Sequence, residues 1–231
     1  MVRSMIFPLI IGVLGAAILV SLGNWQLQRL AQKEATISRI EKMIAGRIGE
    51  IPADAVEARD EFLGVQITGE IVGKPIFVLT SRKGFGPGYR VLYRLETSEL
   101  ALIVDLGFLR GAPKDPGVSG VYEIGGNLMW PDETDGFTPP PDIDRRIWFA
   151  RDLQSLAPTF ETASLLVVAR QTTPPIEGIR PWPVSTSGIA NDHLQYAITW
   201  FSLAVVWMGM TGYWLWRIRR RSLDDAMEST P

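Results

Sequence analysis

The chain has 231 residues, no cysteine and one histidine, which leaves room for one medium domain plus anchors and excludes disulfide frameworks, thiolate chemistry and multi-histidine metal centres. Its 23 basic and 25 acidic residues give a formal charge of −2, so it lacks the basic surface that displaces counterions from phosphate, and nucleic-acid partners are excluded. Most nucleophile and acid–base schemes lose a required member in the same way, and the chain reads as a non-enzyme.

From Ser4 to Gln28 there is no Asp, Glu, Lys or Arg. Roughly 20 helical residues cover about 30 Å of hydrocarbon, so residues 5–25 are expected to form a first transmembrane helix. Arg3 precedes the run as in a signal peptide, but signal cores are shorter and end at paired small residues; Val20, Ser21 and Leu22 offer no such site, which favours an uncleaved anchor. A helical pattern continues over residues 26–45, with Glu34 and Glu41 balancing Arg29, Lys33, Arg39 and Lys42, until Gly46, Gly49 and Pro52 break it.

Residues 62–190 then change to the period of strands. Val65, Ile67 and Ile71 alternate with polar residues. Ile76–Leu79 and Tyr89–Leu95 flank the glycines 84, 86 and 88 as a hairpin would. Leu102, Val104, Leu106 and Phe108 share one face, Val121–Met129 gives another strand, and Leu165–Val168 a buried last one. The Pro-rich stretches 131–144 and 174–183 read as loops, and Arg151–Ala157 as a short helix before Pro158. Parallel pairing needs crossover helices, so the expectation is an antiparallel barrel- or sandwich-like domain. The fold class is thus an α+β membrane protein, two transmembrane helices flanking one β-rich extracytoplasmic domain.

Residues 193–216 supply the second transmembrane helix, and residues 217–231 a tail that opens with Arg217, Arg219, Arg220 and Arg221, a cluster retained in the cytoplasm. Both termini are then expected inside and the central domain outside.

His193 is the most informative residue. Asp192 can cap the helix and Gln195 return the capping-box bond, which puts the imidazole on the first turn. The positive end of the helix dipole disfavours an imidazolium there and leaves a nitrogen lone pair available to iron. Tyr196, Trp200 and Trp207 follow near the same face and can flank a flat macrocycle; equally, they can be the aromatic belt of any span. On the first helix, Trp25, Arg29 and Lys33 recur at i+4 steps, an aromatic anchor and two cations suited to propionates or lipid phosphates.

Four segments carry a resemblance. Gly23, Asn24, Trp25 and Gln26 look like the Gly-x-Trp-Gln start of the surfeit locus protein 1 family. Gly88–Val91 and Ile103–Phe108 resemble its Gly-Tyr-x-Val segment and its Asn/Asp-Arg-Gly strand, with Leu106 in place of the arginine. Arg145, Trp148, Arg151 and Asp152 resemble its Trp-x-x-Arg-Asp region, with Asp142 and Arg146 in place of asparagines. Asn191–Phe201 is similar to the entrance of its second span.

The resemblance implies an assembly factor for haem-copper cytochrome c oxidase that binds haem a and assists its insertion into the catalytic subunit. A membrane scaffold free of cofactor is the alternative. His193 would be the axial ligand of the haem iron, with Tyr196, Trp200, Trp25 and Arg29 around the cofactor. The implied partners are the catalytic subunit, haem a synthase and the lipid bilayer. Mitochondrial relatives should carry an import segment ahead of the first span, whereas apolar residues here begin at Met5, so the expected location is a bacterial plasma membrane.

Overall fold

A computed structural model describes residues 2–46 and 48–228; the last three residues of the expected tail lie outside the described residues. The chain divides into a helical unit, within Met1–Ser38 and Gly188–Pro231, and a β unit, Arg39–Ser187.

The helical unit is built from α1 (Val2–Ile44, as far as Ser38) and α4 (His193–Glu228). Each is long and apolar enough to cross a membrane. They run antiparallel, and glycines on α1 receive bulky groups of α4. A β-carbon at Gly12 would overlap the Thr211 side chain, one at Gly15 the Trp207 indole, and one at Gly23 would stand 2.7 Å from the Phe201 ring. In a bilayer, whose lipid is as apolar as leucine, close backbone approach and interhelical hydrogen bonds would replace the hydrophobic effect as the source of cohesion. The Trp207 indole supplies one such bond, donating to the Gly12 carbonyl at 3.0 Å.

The β unit contains α2 (Glu57–Asp60), β1 (Gly64–Arg82), β2 (Gly86–Glu96), β3 (Ala101–Arg110), β4 (Gly120–Met129), β5 (Ile147–Trp148), α3 (Leu153–Phe160) and β6 (Leu166–Thr173). The two strand signals before the hairpin merge into one. β1 shifts register between Val72 and Ile76, where Gly73 sits at φ +77°. Its first half pairs with β4 from Gly64 to Ile71, and its second half forms the expected hairpin, with Leu79 opposite Tyr89 and Arg82 opposite Gly86.

The expectation of an all-antiparallel sheet is overturned: the sheet is mixed. Pairing runs β2–β3–β6–β4–β1, with β5 beyond, and returns from β1 to β2. Around a ring of five strands the direction cannot alternate at every step, so an odd number of parallel pairs is required. That pair is β3–β6, with Ile103 opposite Leu166 and Asp105 opposite Val168. The path from β3 to β6 runs through β4 and then the stretch 130–165, read as loop over 131–144 and as helix over 151–157, which carries β5 and α3. Asp152 caps this helix by accepting from Gln154 N at 2.9 Å and Ser155 N at 3.2 Å, and the helix continues past Pro158 to Phe160.

α3 explains why β3 is buried on both faces. The face expected from alternation, Leu102, Val104 and Leu106, joins Val65, Ile67, Tyr93, Ile124 and Leu128 in one core. The other face, represented by Ile103, packs with Leu92, Trp148, Leu156, Phe160 and Val168 in a second. Each fully buried large apolar side chain contributes roughly 1.5–3 kcal/mol.

Candidate functional site

His193 is half-buried at the first residue of α4. The expected capping box does not form. Among the described residues neither the Asp192 nor the Gln195 side chain hydrogen-bonds the first turn, and the Asp192 backbone carbonyl accepts from Tyr196 N at 3.2 Å instead. The imidazole is held from the other helix, its Nδ1 standing 2.9 Å from Oε1 of half-buried Gln26. His193 Nε2 makes no hydrogen bond among the described residues.

The other expected residues divide. Tyr196 is 57% exposed and Trp200 half-buried, one and two turns beyond His193, whereas Ala197 between them is buried. Trp25 is exposed, and the Arg29 guanidinium lies 5.9 Å above its ring. Trp207 departs from the expected grouping because its indole is committed to Gly12. An apolar groove of about 370 Å³ opens near that tryptophan, between Pro8, Ile11, Met210 and Trp214. Met210 and Trp214 lie roughly 25–30 Å along α4 from His193, so the groove is separate from the imidazole.

The resembling segments of the β unit meet in a buried ion network that periodicity did not disclose. Asp105, fully buried on β3, accepts from Arg90 Nη1 at 2.6 Å and Arg151 Nη1 at 3.3 Å, and its other oxygen accepts from Gly107 N at 3.0 Å. Arg151 also grips Glu133, through its backbone N–H at 3.0 Å and through its guanidinium. Burial alone would raise the Glu133 carboxyl, but hydrogen bonds and charge from Arg151 hold it below the usual carboxylate range. Burial pulls the Arg90 guanidinium down from its ordinary value, against the attraction of Asp105. Two cations facing two anions leave no net charge to recruit an anionic ligand. The signal for it was charge at positions 90, 105 and 151 within apolar surroundings.

The departures from the family pattern have local causes. Leu106 is buried in the first core, where an arginine would need a partner. Arg146 adopts φ +57°, a left-handed conformation that asparagine enters readily. It is anchored by its guanidinium, which donates to Pro75 O at 2.7 Å and Lys74 O at 2.8 Å.

On the β unit's surface, Arg82 and Arg180 stack on Phe85 at 4.8 and 4.9 Å, and Arg82 and buried Arg90 on Trp182 at 5.2 and 4.2 Å. Such stacking pre-orients guanidinium edges. The Pro-rich stretch 174–183, read only as loop, carries two of its five residues, Arg180 and Trp182.

The family model described as the SURF1 family matches residues 13–205, from within α1 to within α4. A SURF1-like protein of Rickettsia felis is 27% identical over 203 residues, covering 81% of this chain and 88% of the relative. A SURF1-like protein of Caenorhabditis elegans is 25% identical, covering 87% and 70%, and the surfeit locus protein 1 of Rattus norvegicus is 25% identical, covering 87% and 72%. The chain belongs to the SURF1 family.

Proposed function

We propose that this chain is a non-catalytic assembly factor for haem-copper cytochrome c oxidase, which holds haem a at the outer face of a bacterial plasma membrane and assists its insertion into the catalytic subunit. The observation that carries the reading is the His193 imidazole at the mouth of an apolar helix, engaged, among the described residues, at one ring nitrogen only. Bound haem a would supply an iron that accepts a nitrogen lone pair and two propionates that require cations. The donor set fits. His193 would ligate the iron, exposed Tyr196 and half-buried Trp200 would cover apolar surface, and Arg29, steadied by Trp25, would meet a propionate.

Family membership and the bacterial relatives support the function and the location. Arg217, Arg219, Arg220 and Arg221 at the end of the apolar part of α4 support cytoplasmic termini and a periplasmic β unit. We read the ring of five strand pairings as a small barrel. The partners in this reading are the oxidase catalytic subunit and haem a synthase.

The stacked arginines of the β unit favour a second reading, a cofactor-free scaffold that grips an oxidase intermediate through acidic groups. Purifying the full chain from cells that co-express the haem a synthesis enzymes separates the two. The haem reading expects the haem a absorption bands to copurify with the chain. A colourless protein in cells whose oxidase assembly still requires it would leave only the scaffold.

A further inference from the structure

Resting on the reading of His193 as the iron ligand, we propose that Gln26 is its positioning residue: the carboxamide of α1 fixes the proton on His193 Nδ1 and thereby presents Nε2, with its lone pair, to the iron.

Oε1 of Gln26 stands 2.9 Å from His193 Nδ1, and an amide oxygen can only accept, so with the carboxamide in this orientation Nδ1 carries the hydrogen. A neutral imidazole has one N–H, and with the proton on Nδ1 the lone pair is on Nε2. Ligating histidines commonly donate their second nitrogen to an oxygen acceptor, which sets the tautomer, fixes the ring's rotation and raises the basicity of the ligating nitrogen. Here the acceptor comes from the other helix, so the ligand is ready only when α1 and α4 are paired. One turn from Gln26, at Gly23, the approach of the helices is close enough that a β-carbon would meet the Phe201 ring at 2.7 Å. The pairing that gives the helices cohesion therefore also prepares the imidazole.

The chain has one histidine, which makes the test direct. The full chain, carrying a tag without histidine, is labelled with ¹⁵N-histidine, purified without haem into lipid nanodiscs, and its two ring nitrogens are observed by NMR at a pH where the ring is neutral. The expected wild-type spectrum shows Nδ1–H with an unprotonated Nε2. Gln26→Leu should move the tautomer ratio about tenfold toward Nε2–H, the form free histidine favours, which corresponds to about 1.4 kcal/mol. Gln26→Glu, whose carboxylate can only accept, should restore Nδ1–H, which guards against Gln26→Leu acting through misfolding.

On adding haem a, Gln26→Leu should weaken retention about tenfold while Gln26→Glu retains it. A wild-type protein with the proton on Nε2, or a tautomer ratio unmoved by Gln26→Leu, would overturn the role of Gln26 whatever the haem result. If the tautomer responds but wild type takes up no haem a, the haem reading falls and the iron-facing half of this proposal with it, while the tether between the helices stands.

Discussion

Asp105→Ala is expected to lower the melting temperature of the β unit by on the order of 10 °C, read in the full chain by near-ultraviolet circular dichroism. The alanine would leave Arg90 and Arg151 buried without the carboxylate that both contact, at 2.6 and 3.3 Å. Breaking a buried ion pair from one side costs about 3–5 kcal/mol, a large part of the roughly 5–15 kcal/mol by which a domain is stable. For a domain of this size each kcal/mol moves the midpoint by about 2–4 °C. Combining Asp105→Leu with Arg90→Met should recover much of the loss, because an apolar pair replaces the charges and Arg151 keeps Glu133. A single alanine variant that melts with wild type would show the network to be energetically idle.

Two residues along the same strand, Gly107→Val is expected to cost about 3 kcal/mol and to release the segment that carries Arg180 and Trp182. Gly107 sits at φ +119°, where a β-branched residue is strained by about 1–3 kcal/mol. A β-carbon there would also overlap the Arg180 carbonyl oxygen and stand 2.9 Å from Pro181 Cα. That backbone cannot withdraw without losing its paired hydrogen bonds with Phe108, at 2.8 and 2.9 Å, each contributing about 0.5–1.5 kcal/mol. The release should appear as a change in tryptophan fluorescence, as Trp182 leaves Arg90, and as new proteolytic cleavage within residues 174–183. Unchanged fluorescence and cleavage would mean that the segment is held elsewhere.

These two residues show what the sequence could and could not disclose. Alternation placed Leu102, Val104 and Leu106 on one face correctly, because one core selects them directly, but it misplaced Phe108, which lies past the register shift, opposite Arg90, and packs against Phe85 and Trp182 instead. It could not place Asp105, since that requires knowing that α3 and the 130–165 connection cover the opposite face. Nor does periodicity choose which strands pair, and the parallel β3–β6 ladder follows from the ring's odd strand number, a property of the whole sheet. The two long apolar helices were legible because membrane-length runs need no tertiary partner to be recognised.

The candidate site was half legible. His193 stands out as the lone imidazole beside an apolar run, and Gln26 closes the Gly-x-Trp-Gln segment, yet nothing in local spacing connects residues 26 and 193. The expected capping box failed because neither the Asp192 nor the Gln195 side chain turns back onto its own helix, and the ring is held by a long-range amide instead. Trp207 shares the face of His193 by count, but Gly12 and Gly15 leave room for its indole between the helices, which removes it from the proposed haem environment.

The central claim is that the His193 imidazole is the haem iron's ligand, and cavity rescue tests it most directly. His193→Gly removes the ring and leaves space for a free imidazole. Haem a titrated into the purified variant should bind weakly, with an altered spectrum, and millimolar imidazole should restore the wild-type bands. A variant that binds haem a with the wild-type spectrum and no added imidazole would contradict it.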